Sequence, residues 1–170
     1  MRIQPRTCYI QKRMADPQSP EEQLAALGFT LPPPPAPGGN YVPAKRVGVV
    51  MYLAGVISSD EKGVIAGVAG SDRSVEDGYA AAQSCALTQL AVLKQELGSL
   101  DRVAEVLTVN GYVNAAAGFA ASPAVINGAS DLLVRVFGEP GRHVRAAVGV
   151  SALPRNALVE IQMTVRVKEP

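Results

Sequence analysis

The chain has 170 residues, 48% hydrophobic and 18% charged, with a formal net charge of +1. That is enough apolar chain for one domain with a real core, not for two comfortable ones, and it reads as globular rather than disordered. The near-neutral balance and the lack of a basic stripe give no electrostatic reason to expect a nucleic acid.

No apolar run reaches the roughly 18 to 20 residues that a membrane span needs. No apolar segment follows the charged start either, so the expectation is no secretory signal, no membrane partner and a cytoplasmic location. Two cysteines, Cys8 and Cys85, and a single histidine, His143, make neither a disulfide framework nor a His-rich metal centre, and no cofactor is implied.

Residues 1–18 lack periodicity and read as a flexible tail, with Arg2, Arg6, Lys12 and Arg13 scattered among polar residues. Residues 19–45 read as a short helix plus a proline-rich connector. Ser19 suits an N-cap, Pro20 the first helical position, Glu21 and Glu22 the positive end of the helix dipole, and Gly28 a stop. The prolines between Leu31 and Gly38 exclude helix and central strand, which leaves a stiff surface connector.

The main domain spans residues 46–170. Val47 to Leu53 predicts a strand, and turn residues 58–63 lead to a short second strand near Val64–Ile65. The longest helix runs from Ser74 to Leu97, opened by a capping-box pair of Ser74 and Asp77 and closed by Gly98. Its apolar residues, from Val75 and Tyr79 to Leu93 and Leu97, recur at spacings of three and four. Val103–Val113 predicts a strand and Ser122–Phe137 a second helix. Two alternating strands follow, around Val144–Val150 and Val159–Val167.

This order predicts an α+β fold, one mixed sheet covered on one face by two helices. The uncovered face is expected to carry Arg145 and Glu160. A face neither covered nor uniformly polar needs a partner, and self-association is the economical one.

The stretch Arg145-Ala-Ala-Val-Gly-Val-Ser-Ala-Leu-Pro154, followed by Val159-Glu160-Ile161, resembles the C-terminal signature of the YjgF/RidA (reactive intermediate deaminase) family. Asn40-Tyr41-Val42-Pro43 and the strand end Leu53-Ala54-Gly55 look like its N-terminal motifs. Gly98–Val103, Val125–Asp131 and Gly141–Arg145 are similar to its longer, endoribonuclease-like (L-PSP) subgroup. The resemblance covers roughly residues 20 to 168. It implies a chorismate-mutase-like fold, a homotrimer with pockets at the subunit interfaces, and hydrolysis of reactive 2-iminoacids or enamines to 2-oxo acids and ammonia. Carried over by motif, Arg145 would grip the substrate carboxylate, Tyr41 and Asn127 would line the pocket, and Glu160 would position water.

The residues suit that chemistry. An imine conjugated to a carboxylate is already electrophilic, so it needs a two-point grip and a positioned water rather than a metal. Arginine's planar fork fits a carboxylate better than lysine does. Each residue also has a plainer role. Arg145 can pair with Glu160 or another acid at a subunit interface, and Glu160 can be a solvated or paired strand residue. Tyr41 can pack, Asn127 can satisfy backbone near the helix start, His143 can be a loop or interface residue, and Cys85 can be a small buried hydrophobe. Ala54, Val56 and Ala147 depart from the family's usual serine, glutamine and cysteine and make the pocket more apolar. The alternative function is therefore a trimeric carboxylate-binding protein without efficient turnover. An endoribonuclease would want an acid–base pair and a basic groove, which one histidine and a near-neutral chain do not supply.

Overall fold

The computed structural model describes residues 18–169, so the expected tail, with Cys8, lies outside the described residues except for Gln18. The helices begin on the residues that predicted them. In α1 (Pro20–Ala26), the Ser19 hydroxyl accepts from the Glu22 N–H while the Glu22 carboxylate accepts from the Ser19 N–H, so two donors at the helix start are satisfied.

The run expected as one strand at 47–53 is a hairpin of β1 (Ala44–Val47) and β2 (Val50–Leu53). Gly48, at φ 60°, allows the two-residue turn that breaks it. Short strands β3 (Val56–Ile57), β4 (Ser59–Asp60) and β5 (Gly63–Val64) follow, β4 and β5 as a separate small hairpin. Helix α2 (Val75–Leu97) carries the Ser74–Asp77 capping box and ends at Gly98, φ 83°. Strand β6 (Val103–Asn114) leads through α3 (Ser122–Phe137) to β7 (Val144–Val150), and β8 (Val159–Val167) closes the chain.

The sheet order is β1-β2-β8-β6-β7, with β3 also paired to β8. Strands β6 and β7 are parallel, joined by α3, and the other pairs are antiparallel, so the sheet is mixed as expected. Strand β8 alternates without a break. Val159, Ile161, Met163, Val165 and Val167 are buried, and the residues between them are not. Register brings Val109 opposite Met163 and Val113 opposite Val159, which extends the apolar face across β6.

Both helices lie on that face. From α2, the Gln89 amide donates to the carbonyls of Ala54 and Ile161 at 2.9 and 2.8 Å. Cys85, fully buried, is the small core hydrophobe that the sequence allowed. Helix α3 crosses α2 closely at Gly128, where a Cβ would strike the backbone carbonyl of Tyr79. A backbone group cannot turn aside as a side-chain tip can. Gly128→Ala should therefore cost about 1–3 kcal/mol of stability. Urea unfolding measures it, and an unchanged midpoint would mean that the helices separate freely.

The opposite face exposes Val144, Tyr52 and Val148, at 69%, 49% and 47% of their surface. The register also corrects one expectation. Glu160 pairs with Tyr112 and belongs to this open face, but Arg145 pairs with Val109 and belongs to the helix face. The two residues are on opposite sides of the sheet.

Candidate functional site

Arg145 sits near the start of β7, an edge strand, so nothing beyond it obstructs the side chain as it leans onto α3. Its Nη1 donates to Asn127 Oδ1 at 2.9 Å and to Ser130 Oγ at 3.0 Å, and its Nη2 donates to the Pro123 carbonyl at 3.3 Å. The three acceptors are spaced four and three residues apart, which lines them up along one stripe of α3. A guanidinium has five N–H donors. Nη1 thus has two acceptors and Nη2 one, and among the described residues Nε has none, which leaves Nε–H and a second Nη2 hydrogen on adjacent nitrogens. Two such donors side by side match the two oxygens of a carboxylate.

Arg145 has no carboxylate within ion-pair reach among the described residues, whose ion pairs are Arg142–Glu139 and Arg166–Glu105. Its pairing with Glu160, one of the plainer roles open to it, is thus not formed within the chain.

Ser130 is also joined to His143, whose Nε2 is 2.9 Å from the serine oxygen and whose Nδ1 is 2.8 Å from the Gly141 carbonyl. Burial pushes the His143 pKa down. The Gly141 hydrogen bond opposes this, and the Arg145 charge adds to it.

Glu160 lies on the open face, paired with Ile57 of β3 on one side and Tyr112 of β6 on the other. Its carboxylate rests over Gly55, so closely that a Cβ there would overlap Oε1. No hydrogen bond reaches that carboxylate among the described residues, and partial burial pushes its pKa above the ordinary carboxyl value. Below it, burial and then the Glu160 charge push the Cys85 thiol far up, so that thiol stays protonated and inert.

Tyr41 is half exposed, with its hydroxyl accepting from the Gly38 N–H within its own loop. Two residues on, the Pro43 carbonyl accepts from the Ala54 N–H at 2.8 Å, which fastens this loop beside Gly55. The structure therefore brings Asn127 to Arg145 and seats Glu160 against Gly55. It does not bring the two groups together. Strands β7 and β8 flank β6, roughly 10 Å apart, and the two candidate side chains leave from opposite faces.

Sequence reasoning did not connect Ser130 or His143 to Arg145, nor Gly55 to Glu160, and took His143 for a loop or interface residue. Ser130 follows Asn127 by three positions and His143 precedes Arg145 by two. Both signals were present, but using them required knowing that α3 lies beside β7.

Two concavities lie elsewhere. One, of about 630 Å³, runs between α1, the connector and the end of α2, lined by Leu24, Phe29, Leu31 and Lys94 among others. The other, of about 380 Å³, lies beyond the ends of β6 and β7 around Phe119 and Gly149. Neither includes Arg145, Glu160, Asn127 or Tyr41. Among the described residues no cluster of three or more potential metal ligands occurs, and no helix is long and apolar enough to cross a membrane.

A family model described as "YjgF/chorismate mutase-like, putative endoribonuclease" matches residues 21–166, which include all four expected site residues. The chain belongs to this YjgF family. Protein TCP17 of Trypanosoma cruzi is 42% identical to it over 144 residues, 84% of this chain and 90% of TCP17. A crystal structure of an Agrobacterium tumefaciens protein of unknown function is 41% identical, with a TM-score of 0.80 over 87% of this chain and 91% of that one. RidA from the Antarctic bacterium Psychrobacter is 27% identical, with a TM-score of 0.55 over 79% of this chain and 94% of RidA. The YjgF fold thus accounts for the mixed sheet and its helices.

Proposed function

We propose that this YjgF-family protein hydrolyses reactive 2-iminoacids or their enamines to 2-oxo acids and ammonia, in pockets between the subunits of a cytoplasmic homotrimer. The observation that carries the reading is the Arg145 guanidinium, held at one end by α3, with its Nε/Nη2 edge facing no carboxylate among the described residues. A 2-iminoacid supplies that carboxylate. Water then adds its oxygen to the carbon of the protonated imine (C=NH2+), one water proton going to the Glu160 carboxylate, which gives a neutral carbinolamine. Glu160 returns that proton to the amine nitrogen, and the C–N bond breaks. The hydroxyl's remaining proton passes to the departing ammonia, which leaves as ammonium while the carbonyl of the 2-oxo acid forms. A carboxyl whose pKa is raised by burial suits both directions of that transfer. Tyr41 and the free Asn127 amide would line the pocket.

One subunit alone does not juxtapose Arg145 and Glu160, because they leave opposite faces of the sheet. A neighbouring copy, set against the apolar side chains of the open face, could offer its Arg145 to the Glu160 of the first. This is why the proposed pocket lies between subunits.

The departures at Ala54 and Val56 favour the second reading, a trimeric carboxylate-binding protein without efficient turnover. An endoribonuclease is not supported. Both ring nitrogens of the one histidine are engaged, which leaves none free for acid–base work on a ribose.

The test generates 2-iminoacids with an amino-acid oxidase and traps them with semicarbazide. Wild-type protein should suppress semicarbazone formation, and Arg145→Ala and Glu160→Gln should each fail to do so. Co-expressed, the two variants should recover roughly a quarter of the wild-type rate, because random assortment rebuilds that share of pockets from one intact arginine and one intact glutamate. No recovery would place both groups in one subunit's pocket. No suppression by the wild-type trimer would turn the reading to the binding protein.

A further inference from the structure

The hydrogen bonds behind Arg145 have directions that the chemistry fixes. The Gly141 carbonyl can only accept, so His143 Nδ1 must carry a hydrogen. The ring is half-buried and lies near a permanent cation, which keeps it neutral, and its Nε2 is then a bare acceptor. Ser130 has one hydroxyl hydrogen, and at 2.9 Å it goes to that nitrogen. The serine's lone pairs therefore face the Arg145 Nη1, 3.0 Å away. Without His143, a helical serine would have an alternative, donating to a carbonyl of the preceding turn and turning its lone pairs elsewhere. With His143, the row runs one way, from Arg145 through Ser130 and His143 to the Gly141 carbonyl.

An exposed arginine ordinarily samples many rotamers. Here Asn127 and Ser130 hold both hydrogens of Nη1, which fixes the roll of the guanidinium plane as well as its position. We propose that Ser130 and His143 are positioning residues of the carboxylate site: they lock the Nη1 end of Arg145 so that its Nε/Nη2 edge stands ready for the ligand. The proposal rests on the reading of Arg145 as a carboxylate anchor and adds two residues that act only through it. A pre-set fork binds more tightly because less side-chain freedom is lost on binding.

Two measurements test it. The first is pyruvate affinity, by calorimetry on the whole protein. Ser130→Ala and His143→Phe should each weaken binding about tenfold, as expected for loss of a hydrogen bond to a charged group. His143→Gln, which keeps an acceptor near Nε2, should stay within about threefold of wild type. Thermal unfolding checks that each variant folds, and Ser130→Ala suffices if His143→Phe does not. The second measurement is nitrogen-15 NMR, which needs no ligand. His143 should be the Nδ1–H tautomer at neutral pH, and the Arg145 Nη1 hydrogens should exchange more slowly in wild type than in Ser130→Ala.

An Nε2–H tautomer, or equal exchange in the two proteins, would overturn the positioning role. So would wild-type affinity in Ser130→Ala while Arg145→Ala loses binding, and that outcome would leave the carboxylate reading standing. Pyruvate binding untouched by Arg145→Ala would instead sink the carboxylate reading, and the NMR result would then decide the positioning row by itself.

Discussion

Arg145→Ala is expected to lower kcat/KM for 2-iminoacids by about 10²–10³-fold, most of it through a raised KM. The argument starts from the free edge of the guanidinium. Two adjacent N–H donors that face no acid among the described residues gain a charge-assisted pair when a carboxylate arrives, and alanine removes both donors and the charge. Of the three acceptors on α3 that lose Arg145, Pro123 and Asn127 are exposed and only Ser130 is half-buried, so water replaces most of what is lost and stability should change by less than about 1 kcal/mol. A KM effect without a folding effect is therefore the signature. Arg145→Lys should recover little of the loss, because a lysine ammonium is a single point of charge without the fork. Semicarbazone suppression measured against iminoacid concentration separates KM from kcat. Saturation that is unchanged in the alanine variant would remove Arg145 from the site.

Much of the scaffold that presents this arginine is written in local chemistry. Ser19 with Glu22, and Ser74 with Asp77, mark two helix starts because a capping box satisfies backbone donors within four residues and needs no distant partner. Strand β8 is legible because each buried residue alternates with a polar one. The hairpin of β1 and β2 is not, since Val47–Leu53 is an apolar run broken only by Gly48, and a lone glycine does not say that the chain reverses. Strands β3, β4 and β5 have two residues each, too few to show a period.

The facing of Arg145 was lost for a related reason. Strand β7 has small or apolar residues on both sides, Ala146 and Val148 on one and Ala147 and Gly149 on the other, so alternation alone does not tell inside from outside. Only the register with Val109 settles it, and register is a long-range fact. The sequence motifs single out Arg145 and Glu160 together, but their separation across the sheet belongs to the fold.

That separation leaves Glu160 to be tested alone. Glu160→Gln should keep the binding of 2-oxo acids while kcat falls by about 10²–10⁴-fold, because the amide occupies the same space but cannot take a proton from water. Gly55→Ala should give a similar loss from the other side, since the new Cβ would displace the carboxylate from its seat. The pH dependence of stability separates a burdened functional carboxyl from an ordinary surface one. Burial raises the folded-state pKa of Glu160, so the folded protein holds that proton more firmly than the unfolded chain does. The stability associated with the proton is full below the unfolded value of about 4.3 and is lost as pH rises through the folded value. Glutamine does not ionise and escapes that loss. Glu160→Gln should therefore melt at a higher temperature than wild type at neutral pH, with the difference shrinking as the pH approaches 4. A variant less active yet more stable at neutral pH is what a carboxylate kept for chemistry at the expense of folding should yield. A variant less stable at every pH would mean that Glu160 is there to hold the sheet together.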